Sequence, residues 1–308
     1  MFGIDPVTLA AALIAASTPI LLAAIGELVV EKSGVLNLGV EGMMIMGAIC
    51  GFIACVTTGS PWLGFVAGAA GGAALSLIFG VLTQFLLSNQ VATGLALTLF
   101  GLGMSALMGE DYTGINPPLT PKLFPEALRQ LEVVGPILFG HDLIVYLSVA
   151  LVAAVAWGLA RTRTGLIIRA VGENHDAAHS LGYKVIRIRI LAILFGGACA
   201  GLGGAYLSLV RVPSWTEGMT AGAGWIALAI VVFASWRPWR ALIGAYLFGG
   251  IAALQLRLQA AQIDIPVALL DASPYIVTII VLVIISTDRT RAALNAPAAL
   301  GRVFHASG

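Results

Sequence analysis

Three stretches of this sequence have residue types and spacing that chemistry could use. Gly26-Glu27-Leu28-Val29-Val30-Glu31-Lys32-Ser33 comes within one residue of a phosphate-binding loop. Its required second glycine is Glu31, and a carboxylate there would repel the phosphates that the loop must cradle. Lys122 and Lys184 are followed by Leu123 and Val185, so neither completes that motif elsewhere. His175-Asp176-Ala177-Ala178-His179 sets two histidines one helical turn apart, as in a zinc-protease helix. Asp176 stands where the longer glutamate base belongs, and only His141 and His305 remain as histidine third ligands. A solvated polar helix face accounts for the pair better. Gly201-Leu202-Gly203-Gly204 lies inside an apolar run, where small residues serve packing rather than dinucleotide binding. No catalytic residue, no metal ligand set and no cofactor of the chain's own is expected.

The elements around these stretches are made of apolar sequence. Of 308 residues, 59% are hydrophobic and 10% charged, with 37 glycines and a mean hydropathy of +0.99. Soluble domains carry roughly 25% charged residues, so this chain cannot build an ordinary water-facing surface. Soluble enzyme and disordered protein are excluded. A formal net charge of +1 offers no field for a nucleic acid. Cys50, Cys55 and Cys199 all lie in apolar stretches, so no disulfide framework is expected. The composition is that of an all-α, polytopic membrane bundle forming a single domain over residues 1–308.

A crossing needs about 20 mostly apolar residues. Pro6–Gly26 is free of charge, with Asp5 placed to cap it and Pro6 at its first position. Gly42–Gly109 carries no charge and fits three crossings, broken at Gly59-Ser60-Pro61 and Ser88-Asn89-Gln90. Leu143–Ala160, Ile190–Val210, Gly218–Trp236, Ala241–Leu256 and Ala272–Thr287 complete a count of nine. Lys and Arg set the orientation. Lys32, the segment 161–189, Arg237, Arg240 and the C-terminal tail hold most of the 16 cations; Lys122, Arg129, Arg211 and Arg257 face the other way. Segment 161–189 and the C-terminus are therefore expected in the cytoplasm, with the loop 110–142 and the N-terminus outside.

Membrane helices associate through close packing of small residues. Gly64, Gly68, Gly72, Ser76 and Gly80 recur every four positions, and Gly47/Gly51 and Gly197/Gly201 repeat the spacing. The expectation is helix packing inside one subunit; the alternative is a seam with a second subunit.

Segment 161–189 carries the most information. Asn174 can cap a short helix from His175 to Leu181, which Gly182 would stop in the left-handed region. Asp176-Ala177-Ala178-x-x-x-Gly182 resembles the Glu-Ala-Ala-x-x-x-Gly loop of ABC-importer permeases, with Asp in place of Glu. Arg169-Ala170-Val171-Gly172-Glu173-Asn174-His175-Asp176-Ala177-Ala178 is similar to the branch importing simple sugars, nucleosides and branched-chain amino acids. Glu31-Lys32-Ser33-Gly34-Val35-Leu36-Asn37-Leu38-Gly39-Val40-Glu41-Gly42 resembles that family's first glycine-rich signature. Asn89-Gln90-Val91-Ala92-Thr93-Gly94 is similar to the nucleoside and simple-sugar form, and Gly196-Gly197-Ala198-Cys199-Ala200-Gly201 resembles the helix after the coupling loop.

The resemblance implies a non-catalytic permease of about ten helices in a bacterial cytoplasmic membrane, importing nucleosides or simple sugars. The partners it implies are an ABC ATPase that binds the ATP, a second and different permease chain, an external substrate-binding protein and the membrane lipid. Gly172, Glu173, Asn174, His175, Asp176, Ala177, Ala178 and Gly182 would contact the ATPase. A tenth, broken helix is expected within 38–57 or 88–109. Permeation of branched-chain amino acids and ion-coupled secondary transport remain alternatives.

Ionisable or polar groups near a span are functional candidates by default. Glu27, Glu31 and Lys32 read as a hydrated turn at the inner interface. Asn37 and Glu41, four apart, would share a helix face and join Asn89 as pathway or gating candidates. Phe100, Trp215 and Trp225 offer aromatic surface to a nucleoside or sugar, and interfacial anchoring explains the tryptophans equally well.

Overall fold

The computed structural model describes residues 5–260, five positions between Ala272 and Val283, and 295–305. The chain runs α1 (Pro6–Lys32), α2 (Val40–Thr58), α3 (Pro61–Gln84), α4 (Gln90–Gly109), α5 (Glu126–Arg129), α6 (Leu143–Arg161), α7 (Arg163–Glu173), α8 (His175–Ser180), α9 (Val185–Tyr206), α10 (Ala223–Phe233) and α11 (Pro238–Ala260). Seven of the described helices are long and apolar enough to cross a membrane: α1, α2, α3, α4, α6, α9 and α11. Among the described residues there is no β-sheet, only an isolated bridge between Lys122 and Asp142.

The local signals act where the sequence places them. Asp5 accepts from the amides of Val7 and Thr8, with Pro6 opening α1. Gly59, at φ 71°, closes α2, and Pro61 opens α3. The Asn89 side chain caps α4 through Ala92 N at 2.9 Å.

α9 occupies the centre, packed against α1, α2 and α3. Small residues make this possible. A Cβ at Gly47 would land on the backbone of Gly201, and one at Gly72 on Gly197 and Gly201. Gly68 faces Ala205 and Ser76 faces Gly197. The four-residue stripe of α3 is therefore spent on α2 and α9 of the same chain, and the seam alternative does not apply to it. The largest side chains sealed in this core include Leu21, Leu22, Ile25, Met43, Met44, Phe52 and Tyr206. The outward faces of α3 and α4 expose Val66, Leu77, Ile78, Leu95 and Leu99, as surfaces bathed in hydrocarbon do.

Three expectations need correction or reach beyond the described residues. The run Gly218–Trp236 is not one crossing: 212–222 is irregular, and only the 11 residues of α10 are helical there. At about 1.5 Å per residue, α10 spans roughly half of a 30 Å hydrocarbon core. Hydropathy averages over a turn whose backbone is satisfied inside the protein, so it cannot see the break. The expected broken element is likewise misplaced. α2 and α4 are continuous, and the interruption falls at 33–39, between α1 and α2. The expected span Ala272–Thr287 lies largely outside the described residues, although Ala272, Ile276, Ile279, Ile280 and Val283 are helical.

Candidate coupling helix and the buried carboxylate network

α8 forms as its sequence dictates. Asn174 Oδ1 accepts from Ala177 N at 2.9 Å. At the other end Gly182 N donates to His179 O and Tyr183 N to Ala178 O, with Gly182 at φ 86°. That left-handed stop is cheap only for a residue without Cβ. The helix ends at Ser180, one residue before the expected Leu181.

The eight expected contact residues divide into two faces. Glu173, Asn174, Asp176, Ala177 and Gly182 are exposed, and Leu181 projects beside them at 77% exposure. Gly172, His175 and Ala178 are buried, facing the seat on which α8 rests. Ala178 packs with Val171, Val185 and Phe304. A Cβ at Gly172 would strike the carbonyl of Lys32.

Sequence reasoning missed what clamps this seat. Arg189, fully buried, donates from Nε to Ser33 O at 3.2 Å and from Nη1 to Arg302 O at 3.1 Å. Its Nη2 meets His175 Nδ1 at 3.2 Å, and because a guanidinium only donates, Nδ1 must accept. The tail returns along the same face. Ala299 N donates to Gly172 O, and Gly301 N to Gly34 O. Lys32 Nζ donates to Asn295 O at 2.9 Å. Phe304 stands edge-on to His175 and His179, with ring centroids 5.4 and 5.3 Å away. A lone aromatic residue in a polar tail was the available signal. Deleting the tail from Ala299 onward is expected to speed hydrogen exchange of the α8 amides about tenfold or more, with the α9 core unchanged.

Burial, and then the neighbouring Arg189 guanidinium, hold His175 below the ordinary imidazole range. A neutral ring that cannot easily protonate stabilises the seat fully above the unfolded pKa of about 6.5, and less as pH falls toward the lowered folded value. Exchange of the α8 amides, corrected for intrinsic rates, should therefore rise on acidification below about pH 6. His175→Gln should abolish that pH dependence.

Deeper in the bundle, four carboxylates and amides link the irregular segments. Glu41 Oε1 accepts from Thr220 Oγ1 at 2.6 Å and Gly222 N at 2.9 Å, and Oε2 accepts from Gly224 N at 2.7 Å. One carboxylate thus lies in the first turn of α2 and caps the N-terminus of α10, where exposed amides and the helix dipole favour negative charge. Glu27 Oε1 accepts from Asn37 N, Asn37 Oδ1 accepts from Gly39 N, and Glu31 Oε2 accepts from Trp236 Nε1 at 2.6 Å. All three glutamates are buried. This replaces the hydrated turn expected for Glu27 and Glu31.

Asn37 does not share a helix face with Glu41, because residues 33–39 are not helical. It is buried and joins the network by its backbone and its own short turn. Asn89 is exposed and caps α4, while its neighbour Gln90 is buried, accepting from Leu36 N at 2.8 Å. Trp215 is buried; Phe100 and Trp225 are about half exposed. Glu41→Ala would strand two buried donors and one half-buried donor at about 1–3 kcal/mol each, so a loss of roughly 3 kcal/mol or more is expected in the unfolding of the detergent-solubilised protein.

No His, Cys, Asp and Glu cluster among the described residues could hold a metal ion. The geometry is that of a helical bundle carrying one short helix, partly exposed and held from below by Arg189 and the tail.

The comparisons agree. The family model described as "Branched-chain amino acid transport system / permease component" matches residues 9–286. A Haloferax volcanii protein assigned as a glucose ABC transporter permease is 42% identical, covering 94% of both chains. A nucleoside ABC transporter permease of Lactococcus lactis and a guanosine ABC transporter permease of Bacillus subtilis are each 32% identical, covering 86% of this chain and 88% of theirs. The chain belongs to this family of ABC transporter permeases and is a multi-pass, non-catalytic membrane subunit.

Proposed function

We propose that this chain forms part of the permeation pathway of an importer for nucleosides or simple sugars, powered by a separate ATPase that grips α8. The observation that carries the coupling is the division of α8 into an exposed Asp176–Ala177–Leu181 face and a buried seat held by Arg189 and the tail. A docked helix transmits force only if its seat is stiff, and Arg189 ties α8 to Ser33 at the head of the 33–39 segment. Through Asn37 and Glu41 that segment connects to Glu27 and α10, so closure of the ATPase pair would reach the interior along these contacts.

The substrate class is supported by the names of the relatives, glucose for one and nucleosides for two. A second, different permease chain completes the pathway, and an external binding protein delivers the substrate. α8 and the tail, which share one face, lie in the cytoplasm, where the positive residues gather.

The importer should be co-purified with its neighbours, reconstituted in proteoliposomes and offered labelled guanosine, D-glucose and L-leucine. ATP-dependent uptake of guanosine or glucose is the expected result. Uptake of leucine alone would transfer the chain to the amino-acid branch, and uptake driven by an ion gradient without ATP would refute the coupling.

A further inference from the structure

At the ends of α4 and α9 remote from α8 lies a cavity of about 480 Å³, within the range of small-molecule sites. Its polar lining comes from Glu110, Thr113, Trp215 and Glu217, with Gly109 at its wall. The two carboxylates are exposed, and neither is ion-paired among the described residues. Acidic residues alone would signify only a solvated rim.

Trp215 changes that. It is 2% exposed and lines the cavity, and its indole N–H makes none of the hydrogen bonds formed among the described residues. Its nitrogen is the atom nearest to where a Cβ at the cavity-lining Gly109 would stand. The indole N–H of a largely buried tryptophan usually finds an acceptor; here the donor belongs to a residue at the wall of a cavity whose other polar groups mostly accept. The glycine is what lets the indole lie there, since any side chain at 109 would occupy its place.

We infer that this cavity is an entry site for the polyhydroxyl part of the transported molecule, a sugar ring or the ribose of a nucleoside. The inference rests on the permease reading above and deepens it. Vicinal hydroxyls both donate and accept: they would donate to Glu110 and Glu217 and accept from Trp215 Nε1 and the Thr113 hydroxyl. An amino acid would bring its own carboxylate toward two others, with no cation among the lining residues to offset the repulsion.

The test uses purified permease in detergent and saturation-transfer NMR with D-glucose, adenosine and L-leucine, together with uptake by the reconstituted importer. Trp215→Phe keeps the ring and removes the donor, and Glu217→Gln keeps the shape and removes the charge. Transfer to glucose or adenosine is expected in the wild type, reduced at least fivefold in either variant, with none to leucine. Uptake should fall about tenfold in the variants, while their affinity for the binding protein is retained. Equal transfer in wild type and variants, or equal transfer to leucine, overturns the site. So does a selective loss of binding-protein affinity, which would make the acidic mouth a protein-docking surface. A wild-type importer that carries leucine but neither glucose nor a nucleoside would instead overturn the underlying substrate reading, and the site with it. Wild-type sugar uptake with unaffected variants would overturn the site alone.

Discussion

An arginine at position 177 is expected to abolish coupled uptake while leaving the permease folded and inserted. Ala177 is exposed on α8, beside Asp176 and near the protruding Leu181. α8 has six residues, about 9 Å of helix, so a partner groove that holds it meets very few side chains. A long cation at the centre of so small a contact should remove 2 kcal/mol or more of docking energy, roughly a 30-fold loss. Stability should change by less than about 0.5 kcal/mol, as for an exposed site with no special role. Ala178 provides the contrast. Its side chain is 2% exposed among Val171, Val185 and Phe304, so Ala178→Arg would bury an unpaired charge and release α8 from the tail. Both variants should lose uptake, but only Ala178→Arg should also accelerate proteolysis around α8. Melting temperature, limited proteolysis and ATP-driven uptake, measured together, separate docking from seating.

The second large effect is expected at Gly201. This residue stands where α2, α3 and α9 meet: its absent side chain makes room for Gly68 O and for the backbone of Gly72, while the Gly47 position faces it from α2. All of these neighbours are backbone, which cannot rotate aside as a flexible side chain can. Gly201→Leu must push two helices away from the centre of the fold, at a cost on the order of 3 kcal/mol or more. Loss of the folded species in detergent is the predicted outcome. Gly103 and Gly158 are helical glycines whose added Cβ would meet nothing within 4 Å. Alanine at either should be neutral or stabilising by up to about 1 kcal/mol. A Gly201→Leu protein that melted like these controls would refute the account of how the bundle is held.

Much of this molecule could be read from local chemistry, because its signals act over one or two helical turns. Asp5 with Pro6, the Gly59–Pro61 break, the Asn174 cap and the Gly182 stop each depend only on near neighbours. The α3 stripe was legible as packing because small residues every four positions have few other uses in a membrane. What escaped depends on contacts distant in sequence. Asn37 and Glu41 were placed on one helix face because their spacing permits it, whereas the chain breaks there to let Glu41 reach Gly222 and Gly224. Gly172, His175 and Ala178 resemble docking residues in sequence but turn inward, because the tail and Arg189 arrive from more than one direction. Asn89 caps α4 from an exposed position, while Gln90 beside it is the buried one that reaches Leu36. Hydropathy likewise assigned a full crossing to α10, since a turn satisfied by a single buried carboxylate leaves no mark on an average.

Energy is held to enter this permease through α8, and a photo-crosslinking amino acid at position 177 of the assembled importer tests that most directly. An adduct with the ATPase subunit is predicted from 177, and none from Gly59, which lies in the turn at the opposite end of the bundle. Equal labelling from both positions, or no ATPase adduct from 177 in an importer that is actively transporting, would contradict it.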